Sequence, residues 1–121
     1  MKTILLIEDN EIMRENTVEI LELFNYNVLS AENGKLGIEL AINKRPDLII
    51  CDITMPAIDE IEVLKNLNNN GNGKKIPFIF LTARVEKSEM INEIIVGFDE
   101  YITKPYQGDE LLRIVSKYLP L

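Results

Sequence analysis

The segment LIICDITMP at residues 48–56 constrains the fold of this chain most strongly. An uninterrupted apolar run of this length is typical of a strand that is buried on both faces of a parallel sheet. Aspartate is depleted in strands, and burying it without a partner costs free energy. Asp52 is therefore either a turn-forming residue or a reactive group at the end of a sheet. Taken alone, the segment favours the turn.

The rest of the chain alternates short apolar runs with segments of helical periodicity, and Asn10 is a suitable N-cap for the first of these helices. Alternation at this spacing predicts βαβ units, with a parallel sheet covered on both faces and an α/β fold. The length of 121 residues fits one domain, residues 1–121. The predicted strands are 3–7, 26–31, 48–52, 76–81 and 99–103, and the predicted helices are 11–25, the segment from the Asn33-Gly34 turn to residue 44, 58–67, 86–96 and 108–119.

Composition excludes several classes of function. The chain has no histidine and one cysteine, which argues against zinc sites, histidine-based catalysis and an internal disulfide. Cys51 lies inside an apolar run, so we expect a small buried hydrophobic residue rather than a reactive thiol. A net charge of −7 makes direct binding to a nucleic-acid backbone unfavourable. Without a long apolar stretch or a signal-peptide pattern, we expect no membrane segment and a cytoplasmic location.

Polar residues collect where the predicted strands end. Glu8 and Asp9 follow the first strand, Asp52 ends the third, Thr82 follows the fourth and Lys104 follows the fifth. Parallel strands bring these ends to one edge of the sheet. In open α/β sheets, ligands bind outside the carboxyl ends, where the strand order reverses. With the order 2-1-3-4-5, that point lies between the first and third strands, so the three acids should converge.

Converging carboxylates need a compensating cation. Two unit charges about 4 Å apart repel by roughly 4 kcal/mol at an effective dielectric of about 20. Mg²⁺ resolves this repulsion and prefers a few carboxylates, water and a phosphate oxygen as ligands. Lys104 would add a second cation and Thr82 a neutral donor. An aspartate in such surroundings fits phosphoryl transfer through a covalent aspartyl phosphate on Asp52.

Four motifs, LLIEDN, CDITMP, FLTA and GFDEYITKP, together resemble the receiver domain of two-component response regulators over nearly the whole chain. The resemblance implies a flavodoxin-like (βα)5 fold with helices on both faces of the sheet. It implies that a histidine kinase, a histidine phosphotransfer protein or a small phosphodonor phosphorylates Asp52. It also implies that Glu8, Asp9, Asp52 and the main-chain carbonyl of Thr54 hold Mg²⁺.

The same resemblance implies further roles. Thr82 and Lys104 would contact the phosphoryl group, and Tyr101 would swing inward when Thr82 moves, although a permanently packed aromatic is a competing interpretation. Thr54 and Arg84 occupy the variable positions that tune dephosphorylation in receivers. In receivers, the face formed by the fourth helix, fifth strand and fifth helix is the usual signalling surface. A second apolar stripe on the fourth helix predicts a protein-partner surface there, with a packed core as the alternative, formed by Met90, Ile94, Phe98 and Tyr101.

Two other functions compete with a phosphorylated switch. A phosphatase of the haloacid-dehalogenase type also uses a strand-end aspartate, but it typically carries a second aspartate where this chain has Thr54. A receiver-like module that is never phosphorylated usually loses the acids or the lysine, which this chain keeps. The segment DELLRIVSKYLPL resembles the ends of stand-alone receivers or those of hybrid kinases. We therefore expect a signalling switch without direct DNA binding, either monomeric or a weak phosphorylation-dependent dimer, rather than an enzyme.

Overall fold

A computed structural model describes residues 1–52, 76–82, 100–103 and 106–120 of the chain. Strands and helices alternate through the first half, as the sequence predicts. The last helix described, here α3, is the fifth of the predicted helices. The elements are β1 (Thr3–Ile7), α1 (Glu11–Leu23), β2 (Asn27–Ala31), α2 (Gly34–Lys44), β3 (Leu48–Asp52), β4 (Phe78–Thr82), β5 (Glu100–Thr103) and α3 (Gly108–Tyr118).

The five strands form one parallel sheet in the order β2-β1-β3-β4-β5. This order confirms the prediction. The strand order reverses at β1, which pairs with β2 on one side and with β3 on the other. Ile7 of β1 pairs with Cys51 of β3, and Asp52 pairs with Leu81 of β4. The carboxyl ends of the three central strands are therefore nearly level at one edge of the sheet.

Side chains of the central strands fill two hydrophobic clusters, one on each face of the sheet. In β1, Ile4 and Leu6 belong to the cluster that α1 and α3 complete. Leu5 and Ile7 belong to the other cluster, to which α2 contributes Ala41. These four residues of β1 are fully buried. Burial on both faces explains why the central strands read as continuous apolar runs rather than alternating ones.

Helix α1 is shorter than the sequence predicts. Asn10 caps it as expected, because its side chain accepts a hydrogen bond of 2.9 Å from the Met13 backbone N–H. The helix ends at Leu23 rather than at Asn25, which adopts a left-handed backbone with φ of 68°. Asparagine tolerates this conformation better than most residues, and such a residue commonly ends a helix. Strand β2 then begins at Asn27, one residue later than predicted.

Strands β1 and β3 match their predicted bounds, and three further elements differ from theirs by one or two residues. Strand β4 runs from Phe78 to Thr82 instead of 76–81, and β5 begins at Glu100 instead of 99. Helix α3 ends at Tyr118 instead of 119. The predicted helices 58–67 and 86–96 lie outside the described residues. In the part of the chain that is described, no helix has the length and apolar character needed to span a membrane.

Candidate functional site

Three acidic residues meet at the carboxyl edge of the sheet, beside the point where the strand order reverses. Glu8 and Asp9 directly follow β1, and Asp52 is the last residue of β3. One carboxylate oxygen of each residue lies within 4.8 Å of the corresponding oxygens of the other two. This confirms the predicted convergence, and the parallel register of β1 and β3 produces it.

Burial increases the electrostatic repulsion within the acid cluster. Glu8 and Asp52 are each only 1% exposed, whereas Asp9 faces solvent. Carboxylates this close together repel one another, and burial strengthens the repulsion because water screens them less. A hard divalent cation compensates the charge, and its preferred ligands are oxygen atoms such as these. The donor set and its spacing therefore fit Mg²⁺, with Asp9 at the solvent side.

The neighbouring thiol responds to the same charges. Cys51 is buried and unpaired, as the sequence predicts. Burial raises the pKa of the Cys51 thiol well above its ordinary value, and the negative charges of Asp52 and Glu8 raise it further. Cys51 is consequently a protonated core residue with little nucleophilic character.

The turn between β1 and α1 holds Glu8 by several hydrogen bonds. Its backbone N–H donates to the Ala31 carbonyl oxygen at 3.0 Å, which extends the pairing with β2. The Asn10 backbone N–H donates to Glu8 Oε2 at 3.2 Å. From α1, Arg14 Nη1 donates to the carbonyl oxygens of Glu8 and Asp9 at 2.9 Å and 3.5 Å. The acid pair is thus fixed from both the sheet and the helix.

The contact made by Arg14 was not predicted from the sequence. The position of Arg14 is a hint of such a contact, because a cation in the first turn of a helix gains nothing from the helix dipole. Such a residue needs another reason for its position. Here the reason is a pair of backbone carbonyl groups that precede the helix.

A second unanticipated contact ties α1 to the segment between β5 and α3. The hydroxyl groups of Thr17 and Tyr106 share a hydrogen bond, and Thr17 is buried in α1. Tyr106 lies two residues after Lys104 in the sequence. This hydrogen bond therefore anchors the chain shortly after the predicted phosphoryl-contacting lysine.

The remaining predicted site residues fall in two groups. Thr82 ends β4, one residue beyond Leu81, which pairs with Asp52, and it pairs in turn with Thr103 of β5. The Thr82 backbone therefore lies at the same sheet edge as the acids. Tyr101 of β5 pairs with Phe80 of β4, two residues before the pair formed by Thr82 and Thr103. The other predicted residues lie outside the described residues, and they are Thr54, Arg84, Met90, Ile94, Phe98 and Lys104.

A family model and individual relatives assign the chain to the same family. Residues 4–116 match the model of the response regulator receiver domain. The phosphate regulon transcriptional regulatory protein PhoB of Pseudomonas aeruginosa is 37% identical over 111 residues, which are 92% of this chain and 48% of that protein. The chain spans about half the length of the curated relatives it matches.

Solved structures agree with the sequence comparison. The response regulator TrrA of Thermotoga maritima, in complex with Mg²⁺-BeF, is 33% identical with a TM-score of 0.80, and the match covers 98% of this chain and 99% of that one. The receiver domain of a sensor histidine kinase from P. aeruginosa, with magnesium coordinated in its active-site cleft, is 28% identical with a TM-score of 0.84, covering 99% and 98%. The chain belongs to the response regulator receiver domains of two-component signalling.

Proposed function

We propose that Asp52 is the phosphoacceptor of this receiver domain and that Glu8, Asp9 and the Thr54 main-chain carbonyl complete a Mg²⁺ site with it. The observation that carries the proposal is the buried acid cluster, with carboxylate oxygens within 4.8 Å of one another at the strand-order switch point. Carboxylates this close together repel one another, and a divalent cation bound between them offsets that repulsion. The Mg²⁺-BeF complex of the related TrrA supports this assignment.

The chemistry follows from a carboxylate nucleophile at the end of β3. A carboxylate oxygen of Asp52 attacks the phosphorus of the donor and forms a new P–O bond. The bond from phosphorus to the donor's leaving atom breaks, and that atom leaves with the bonding electrons, as a histidine nitrogen or an acetate oxygen. Bound Mg²⁺ supplies positive charge beside the phosphoryl oxygens. Hydrolysis later returns Asp52 and inorganic phosphate, and this slow self-dephosphorylation is the limit of the domain's catalysis.

Other residues of the chain complete the switch. The hydroxyl of Thr82 and the ammonium of Lys104 contact the phosphoryl group, while Thr54 and Arg84 set its lifetime. Tyr101 changes position with Thr82, and the signal passes to a protein partner through the surface of Met90, Ile94, Phe98 and Tyr101 given in the sequence analysis. A histidine kinase or phosphotransfer protein supplies the phosphoryl group, the domain acts in the cytoplasm, and it does not itself bind DNA.

Intact-mass spectrometry after incubation with acetyl phosphate tests the proposal. The wild-type protein should gain the mass of one phosphoryl group with Mg²⁺ present and should gain none when EDTA replaces Mg²⁺. Asp52→Asn should show no gain. Asp47→Asn is a matched control just before the other end of β3, where the Asp47 side chain accepts a hydrogen bond from the Thr3 backbone N–H. This control should be phosphorylated like the wild type.

The outcomes also separate the competing functions. No gain of mass in the wild-type protein would contradict the proposal and favour a receiver-like binding module. Continuous turnover of a phosphomonoester substrate, abolished by Asp52→Asn, would instead favour a phosphatase.

A further inference from the structure

Arg14 connects the body of α1 to the segment that carries both acids of the β1–α1 turn. It is partly buried, and its Nη1 donates to the Glu8 carbonyl oxygen at 2.9 Å and to the Asp9 carbonyl oxygen at 3.5 Å. One guanidinium nitrogen thus binds two successive carbonyl groups. We propose that Arg14 is a positioning residue for Mg²⁺ binding, acting through the backbone of Glu8 and Asp9, and this inference rests on the proposed function.

The two acids depend on this anchor to different degrees. The Glu8 carboxylate is buried, and one of its oxygens accepts a hydrogen bond from the Asn10 backbone at 3.2 Å. The Asp9 side chain is exposed, so its direction depends mainly on the backbone to which it is attached. Arg14 holds that backbone on its carbonyl side, while pairing with β2 holds Glu8 through its N–H. Loss of the guanidinium should therefore displace Asp9 more than Glu8.

The position of Arg14 in α1 makes the contact rigid. Its own backbone N–H donates to the Asn10 carbonyl oxygen at 2.9 Å, which closes the first turn of the helix. The Asn10 side chain caps the same turn through the Met13 backbone. Backbone and side chain of Arg14 thus bind both ends of a short loop. Residues that orient metal ligands in this way typically change metal affinity by about 10–100-fold when they are altered.

The charge of Arg14 and its hydrogen bonds have opposite effects on a bound cation. A positive charge near the acid cluster repels Mg²⁺, so removing the charge alone would tighten Mg²⁺ binding. Removing the hydrogen bonds frees the Glu8-Asp9 backbone, which weakens binding because the ligands are no longer held in place. The sign of the change in affinity therefore distinguishes a positioning residue from one that acts only through its charge.

Titration calorimetry with MgCl₂ on the full chain measures this sign. Arg14→Met keeps an apolar stem and loses charge and donors, and its dissociation constant for Mg²⁺ should rise by about tenfold or more. Arg14→Lys keeps the charge and a smaller donor set, so its dissociation constant should lie between those of Arg14→Met and the wild type. Arg45→Met is the matched control, because Arg45 is an exposed arginine at the end of α2, shortly before β3 begins. Its dissociation constant should equal that of the wild type.

Each result either supports the inference or overturns it. Mg²⁺ binding by Arg14→Met that equals or exceeds that of the wild type would overturn it. If Arg14→Met does not unfold cooperatively in urea and so proves misfolded, Arg14→Lys decides, and an affinity equal to that of the wild type would overturn the inference. If the wild-type protein binds no Mg²⁺, the metal site of the proposed function fails and the inference fails with it. If the wild type binds Mg²⁺ and the Arg14 variants bind it equally well, only the inference fails.

Discussion

Replacing Gly37 with alanine tests how closely α2 packs against β1. Gly37 is buried in α2, and a Cβ atom added there would lie 2.8 Å from Ile7 Cγ1 and still nearer to Ile7 Cδ1. Real Cβ atoms essentially never approach another atom this closely. Ile7 is itself fully buried, so its side chain has little room to move. Either α2 or Ile7 must shift, and Ile7 directly precedes the acid pair.

The expected magnitude combines two opposing effects. Overpacking a well-packed core costs about 1–3 kcal/mol, whereas alanine in place of glycine in a helix regains about 0.5–1 kcal/mol. The free energy of unfolding should therefore fall by about 1 kcal/mol, and by about 2.5 kcal/mol at most. Gly108→Ala is the matched control, because its added Cβ would lie 3.5 Å from Ile20 Cδ1, an ordinary van der Waals distance. This control should not destabilise the protein.

A double-mutant cycle measured by urea unfolding checks the cause. Ile7→Val removes Cδ1 and should alone cost about 0.5–1.5 kcal/mol. In the Gly37→Ala background, the same change also removes the nearer of the two clashing Ile7 atoms. The double variant should therefore lose less stability than the sum of the two single losses, by about 0.5 kcal/mol or more. Strictly additive effects, or a Gly37→Ala variant as stable as the wild type, would refute the packing argument.

Three further predictions concern the acid cluster and two hydrogen bonds between residues distant in sequence. Asp52→Asn should raise the free energy of unfolding in EDTA by about 1–3 kcal/mol because it relieves carboxylate repulsion. Adding Mg²⁺ should stabilise the wild type but not the variant. A variant less stable than the wild type in EDTA would contradict this. Tyr26→Phe removes the hydrogen bond of 2.8 Å from the buried hydroxyl to the Leu119 carbonyl oxygen, and urea unfolding should show a loss of about 1–3 kcal/mol. Burial raises the pKa of Tyr26, so the folded state keeps the phenolic proton to higher pH than the unfolded chain does. This stabilisation is therefore complete below about pH 10 and declines above it. A stability difference between the wild type and Tyr26→Phe that grows with rising pH would contradict this. Thr17→Val and Tyr106→Phe each break the hydrogen bond between the two hydroxyl groups. In thermal or urea unfolding, the double variant should lose less stability than the two single variants lose in sum. Additive losses would show that this hydrogen bond contributes nothing to stability.

Much of the fold was accessible from the sequence because a doubly covered parallel sheet leaves a strong pattern. Continuous apolar runs mark the central strands, and polar residues mark their carboxyl ends. The register between Ile7 and Cys51 then makes the convergence of Glu8, Asp9 and Asp52 a consequence of geometry. The predicted strand order and acid cluster are both confirmed, and the cluster follows from that order.

Other features depend on contacts that residue type and spacing do not encode. The end of α1 was predicted two residues too late, because apolar residues at helical spacing continue to Phe24, past the observed end of the helix at Leu23. Gly37 is explained by its proximity to Ile7, which depends on how α2 crosses β1. The role of Arg14 requires knowing that its guanidinium points back toward the preceding turn. The packing of Gly37 and the contact of Arg14 are tertiary effects superimposed on a correct local pattern.

Locating the phosphoryl group on the chain shows whether Asp52 is the residue that carries it. The protein is incubated with acetyl phosphate and Mg²⁺, the aspartyl phosphate is reduced with borohydride, and the modified residue is identified by peptide mass spectrometry. We predict a single reduced residue at position 52, which requires Mg²⁺ and is absent from Asp52→Asn. A phosphoryl group at Asp9 or at any other residue, or the same modification in EDTA, would contradict the account.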